Sequence, residues 1–132
     1  MSNAPTTLMG HVPLFRAIVT STVSATATTV TPDDSGTLFI DASTSTHTYT
    51  LPAVADCKGK AFWFSKVADA VMIVSGETAD KMIAFNDAAA DYISFQTASE
   101  RIGAALLVVG DGNYYFPFNM SAGANTLTVK TA

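Results

Sequence analysis

Residues 36–66, GTLFIDASTSTHTYTLPAVADCKGKAFWFSK, decide how this chain folds. Leu38 and Ile40 fall on one face of an extended segment, and Tyr49 and Leu51 on one face of the next. This is the period of two that sends alternate side chains to opposite sides of a strand. Residues 42–46 between them read as a turn, so the two segments are expected to be partners. Pro52 closes the pair because it has no N–H to give a ladder. Phe62 and Phe64 then point to one side of an aromatic strand and Trp63 to the other. Each buried ring contributes about 1.5–3 kcal/mol, which places this strand at the expected centre of the core.

Upstream, residues 16–50 are rich in Thr, Ser, Ala and Val, a composition that favours strands. Val23, Ala25 and Ala27 alternate with Ser24, Thr26 and Thr28, which predicts one more strand. Pro32-Asp33-Asp34-Ser35-Gly36 reads as a turn: proline presets φ, aspartates bond locally and glycine permits positive φ. Residues 1–15 hold Pro5, Gly10 and Pro13 without either periodicity and read as an extended arm. Leu8, Met9, Val12, Pro13, Leu14 and Phe15 make that arm too apolar for a solvated tail, so they are the candidate interface residues toward a partner subunit.

Downstream, residues 71–74 form a short apolar strand. Residues 79–92 are ambiguous. Met82, Phe85 and Ala89 fit a helical stripe and Ala88-Ala89-Ala90 favours helix, but Asn86-Asp87 interrupts, and the reading is a loop with at most one short helix. Ile93 with Phe95, residues 104–109 and residues 114–118 read as three strands. The last two are joined by Gly110-Asp111-Gly112-Asn113, which is hairpin chemistry. Residues 125–130 add a final strand with Leu127 and Val129 on one side.

The order of these elements, ending in ALLVVGDGNYYFPF over residues 105–118, resembles small β-modules of bacteriophage virion proteins: capsid-decoration, head-fibre and tail-fibre proteins. The resemblance covers residues 31–119. It departs where such modules often carry Trp after the final hairpin turn, since this chain has Tyr114 and Tyr115. Tail-fibre proteins usually embed the module in a longer chain. Here it stands behind a short arm, which favours a decoration protein.

Composition agrees with a protein that is covered by neighbours. Of 132 residues 48% are hydrophobic and only 14% charged, against about 25% charged in ordinary soluble domains. Shared surfaces and a hydroxyl-rich coat both account for that. A net charge of −4, with Lys and Arg scattered singly, removes the electrostatic term for nucleic acid and for a polybasic membrane anchor. No run approaches the roughly twenty apolar residues of a membrane span, and the first residues lack the pattern of a secretory signal. One cysteine, Cys57, leaves no intrachain disulfide.

Candidate chemistry is sparse. His11 and His47 have no i,i+4 partner, and His47 in its Thr-rich strand reads as a hydrogen-bonded surface imidazole rather than a zinc ligand. Asp33-Asp34, with Asp41 nearby, lacks the spaced carboxylates of a calcium loop and reads as a turn. Glu77, Asp80 and Lys81, and the Glu100-Arg101 pair, read as solvated charges. Neither a Gly-x-Ser-x-Gly elbow nor a phosphate loop occurs. Cys57 reads as a free loop thiol.

The sequence therefore predicts an all-β fold, a compact antiparallel β-sandwich or barrel of about seven to nine strands, with an extended N-terminal arm over 1–15 and a single β domain over 16–132. It predicts no enzyme, with no catalytic residue, cofactor or metal. The resemblance implies a structural virion protein on the capsid surface, a decoration (cement) protein partnered by the major capsid protein and itself a homotrimer. A short head- or tail-fibre module binding a host glycan or receptor is the alternative.

Overall fold

The computed structural model describes residues 14–121 and 127–130. Of the candidate interface residues, Leu14 and Phe15 fall within that range, while Leu8, Met9, Val12 and Pro13 lie outside it.

The first half of the chain alternates between two sheets. β1 (Ala17–Thr20), β3 (Thr37–Asp41) and β5 (Ala61–Lys66) belong to one, and β2 (Ala27–Thr29), β4 (His47–Thr50) and β6 (Met72–Ser75) to the other. Within each sheet these strands stack in parallel, so the chain winds through three turns of a flattened coil. From β7 onward most pairs are antiparallel, the parallel exception joining Met82 to Tyr115. β7 (Met82–Ala84) and β8 (Asp87–Ala90) form a hairpin, β9 (Tyr92–Phe95) runs antiparallel to β6, and β10 (Ala105–Gly110) antiparallel to both β5 and β11 (Tyr115–Asn119). β12 (Thr128–Lys130) pairs with β9. The final orders are β1-β3-β5-β10-β11-β7-β8 and β12-β9-β6-β4-β2.

The fold is thus all-β and sandwich-like. The antiparallel and barrel expectations need correction: there are two separate mixed sheets, and twelve strands among the described residues. The physical reason lies at residues 42–46. They do not fold β4 back beside β3 but carry the chain across the core, so that Phe39 and Tyr49 meet from opposite sheets with centroids 5.6 Å apart. Parallel neighbours need a long crossover, and here each crossover passes through a strand of the other sheet.

Inward residues from both sheets form one cluster. Phe39 stacks on Phe64 at 5.4 Å and Tyr49 tilts against Phe64 at 5.1 Å, which confirms the inward aim of Phe62 and Phe64 and the outward aim of Trp63. Across the smaller sheet, Thr28, Tyr49, Val74, Ile93 and Val129 lie side by side in register.

Two further expectations change. Val23 and Ser24 form a turn, and only Ala27–Thr29 of the predicted upstream alternation is strand. Residues 82–90 are a hairpin, turned at Phe85 and Asn86 with φ of 45° and 74°, the positive pair of a two-residue type I′ turn. Alanine's helix preference is a weak prior that strand pairing overrides. The β10–β11 hairpin is as expected. The Asp111 carboxylate accepts the N–H groups of Asn113 and Tyr114 at 2.8 and 2.7 Å, and Gly112 takes φ of 95°.

Candidate functional site

The two sheets turn different faces outward. On the seven-stranded sheet one register row reads Ile18, Leu38, Trp63, Leu107, Phe118 across five strands. Beside it run Thr20, Ile40, Ser65 and Ala105, and on its other side Ala61, Val109 and Phe116. None of these side chains is charged. Ile18 is 61% and Phe118 49% exposed, with Leu38, Trp63 and Leu107 half-buried between them. On the five-stranded sheet the corresponding row is Thr29, Thr50, Ser75, Tyr92 and Lys130, mostly hydroxyls.

Phe15 ties the arm to the aromatic face. Its ring meets Trp63 edge-on at 5.1 Å, and Arg16 anchors the backbone there: its N–H donates to Gly36 O at 2.8 Å and its guanidinium to Ser35 O at 3.1 Å and to Asp33 O. Leu14, one residue earlier, is exposed. The described end of the arm thus stands at the apolar face.

A second site lies at the corner where the coil crosses between sheets. Asp41, His47 and Lys66 end or begin their strands there with their side chains fully buried. Asp41 Oδ1 receives His47 Nδ1 at 2.9 Å, the Ser43 backbone N–H at 3.0 Å and the Ser21 hydroxyl at 3.3 Å. Oδ2 has no hydrogen bond but faces Lys66 Nζ at 3.1 Å, and Nζ donates to Ser43 O at 2.6 Å. His47 Nε2 lies 2.7 Å from Thr28 Oγ1. Since an ionised carboxylate only accepts, Nδ1 carries the proton toward Asp41, and in the neutral ring Nε2 accepts from Thr28. The His47 ring stacks on Tyr49 at 4.2 Å. Burial, and then the nearby Asp41 carboxylate, push the Tyr49 phenol well above its ordinary pKa. Ser21 and Thr28 come from the first coil turn, Asp41, Ser43 and His47 from the second and Lys66 from the third, so this cluster staples all three.

That corner overturns the surface reading of His47 and separates Asp41 from Asp33 and Asp34. Asp34 bonds back to Thr31 at 2.9 Å, and Asp33 is exposed. Lys66 was missed altogether. A signal was present: Lys66 continues the inward parity of Phe62 and Phe64, Asp41 that of Phe39, and His47 that of Tyr49, so three inward runs end in polar residues. Cys57 is a free thiol in the loop after residues 54–56, as expected, and its side chain is buried. Among the described residues no group of three or more His, Cys, Asp or Glu is placed to hold a metal, and no helix is long and apolar enough to cross a membrane.

A cavity of about 310 Å³ opens elsewhere, lined by Pro52, Glu77, Lys81, Asn113 and Tyr115 among others. Lys81 Nζ sits 5.8 Å from the centre of the Tyr114 ring. Tyr115 donates its hydroxyl to Pro52 O, and its phenol is raised far above the ordinary pKa, chiefly by burial and then by Cys57.

No protein-family model matches the chain, and neither the curated proteins nor the solved structures contain a match.

Proposed function

We propose that this chain is a structural virion protein, a capsid-decoration protein that acts as a homotrimer. In this reading the uncharged face around Trp63 is set down on the major capsid protein, and the apolar residues of the arm contact a neighbouring subunit. The observation that carries it is the continuity of arm and face: Phe15 rests on Trp63 at the middle of an apolar row spanning five strands. A face that size without a charge is the kind of surface that proteins cover with a partner, and its aromatics are the residue types that dominate interface energy. The work done is mechanical, bridging capsomers against internal pressure.

The test uses the full chain and phage heads assembled from a major capsid protein. Phe118→Ser leaves the inward core untouched and removes an exposed aromatic, so head binding weakens by about 2 kcal/mol, roughly thirty-fold in Kd. Unchanged binding, or a stable monomer in sedimentation at micromolar concentration, overturns the reading. The cavity beside Lys81 and Asn113 favours the second reading, a short fibre module that takes a host glycan. Glycan-array binding that is lost on Asn113→Ala would establish that one instead.

A further inference from the structure

We propose that Lys66 and Asp41 become joined by an intramolecular isopeptide bond, Nζ to Cγ. The two residues are register partners on adjacent parallel strands, both fully buried with Nζ 3.1 Å from Oδ2. Strand pairing has therefore already fixed nucleophile and electrophile together, the condition under which an intramolecular reaction gains most.

The two carboxylate oxygens differ in a way a simple ion pair does not require. Oδ1 is cradled by His47 Nδ1 and the Ser43 N–H, and the Ser21 hydroxyl, shared with Thr22 O at 3.1 Å, lies 3.3 Å from it. Oδ2 has none and faces only the amine. Oδ1 is thus placed to hold the negative charge of a tetrahedral intermediate, and Oδ2 is free to depart. The Lys66 ammonium first passes one proton to Oδ2. The neutral amine then attacks Cγ, forming the C–N bond while the C=O electron pair moves to Oδ1. Nitrogen gives a second proton to Oδ2, the carbonyl re-forms at Oδ1, and the C–Oδ2 bond breaks with release of water. The third ammonium hydrogen remains as the amide N–H, directed at Ser43 O, which already accepts from Nζ at 2.6 Å. Carboxylate plus ammonium gives amide plus water, with no oxidant, reductant or co-reactant. The driving force is removal of two buried charges from a site that solvates them poorly, and the desolvated lysine is the state in which its amine is nucleophilic.

The bond would close the second coil turn onto the third beside the core, a covalent staple. It stands independently of what the outer face binds. The deciding measurement is the intact mass of the folded full-length chain, taken under denaturing conditions. The expected mass is one water below that of the sequence, and digestion yields one species joining the Asp41 peptide to the Lys66 peptide, uncut after Lys66. Lys66→Arg and Asp41→Ala return to the full sequence mass. A succinimide at Asp111-Gly112 also sheds water, but it persists in Lys66→Arg and joins no peptides. The wild-type chain at full sequence mass overturns the proposal without reference to any variant, and so does a water loss that survives Lys66→Arg.

Discussion

The coil from β1 to β6 and the strands from β7 to β11 use elements of similar length but are held in register differently. In the coil each strand's partner lies a full turn away in sequence, and the corner that aligns the turns is polar and charged: Ser21, Thr28, Asp41, Ser43, His47 and Lys66. In the later half two hairpins set register locally, one through Phe85-Asn86 and the other through Asp111 and Gly112. Local turns fix a strand to its neighbour cheaply, because the loop to be closed is short. Distant parallel partners lack such a turn, and an apolar interior alone tolerates slippage. A buried carboxylate whose partners sit on three different turns does not.

The largest test of that contrast is Lys66→Met. It leaves Asp41 buried with neither its cation nor the proposed amide, and breaking a buried pair from one side costs about 3–5 kcal/mol. Chemical denaturation reads it directly, and a loss below about 1 kcal/mol would mean that strand stacking alone aligns the coil. In the later half the strongest single constraint is steric. A Cβ at Gly110 would stand 2.5 Å from Cys57 O, so Gly110→Ala forces backbone apart and lowers stability by about 1–3 kcal/mol. Stability equal to wild type would show that this junction is loose.

The smallest effect is on the Asp111 turn. Two backbone N–H groups bonded to its ionised form hold its pKa below the ordinary 3.8. The unfolded chain therefore binds this proton more readily than the folded one. The contribution is complete above the ordinary value and disappears as the pH falls through the lowered folded pKa. Amide exchange at Asn113 and Tyr114 is expected to quicken in that acid window while the coil's amides stay protected. Asp111→Asn, which keeps an acceptor without the titration, flattens the response. Equal acid sensitivity in both variants removes Asp111 as the cause.

The same division explains what the sequence discloses. Phe62, Trp63 and Phe64 declare their sides by parity, and Gly110-Asp111-Gly112-Asn113 declares a hairpin, because both depend on residues a few positions apart. The β7–β8 hairpin was obscured by Ala88-Ala89-Ala90, whose helix preference is intrinsic, while the strand pairing that overrides it is tertiary. The coil escaped for a further reason. The register steps from Ile18 to Leu38 and from Leu38 to Trp63 differ in length, so no fixed period marks the repeat. The aromatic outer face was half legible: alternation gives Trp63, Leu38 and Leu107 an outward side, but only the strand order brings them into one row.

By itself, then, the sequence determined an all-β chain, its inward aromatic strand, its glycine hairpin and its scarcity of charge, since composition and period are properties of neighbours along the chain. Only the tertiary structure decided that residues 42–46 cross the core instead of reversing within a sheet. That single choice makes β3 and β5 parallel neighbours, sets Lys66 against Asp41, and buries His47 between Thr28 and Asp41. A turn of small polar residues is compatible with either path. What selects between them is the burial of Phe39 against Tyr49 and Phe64 and the pairing of charges that would otherwise be stranded in the core, and both depend on contacts between residues far apart in the chain.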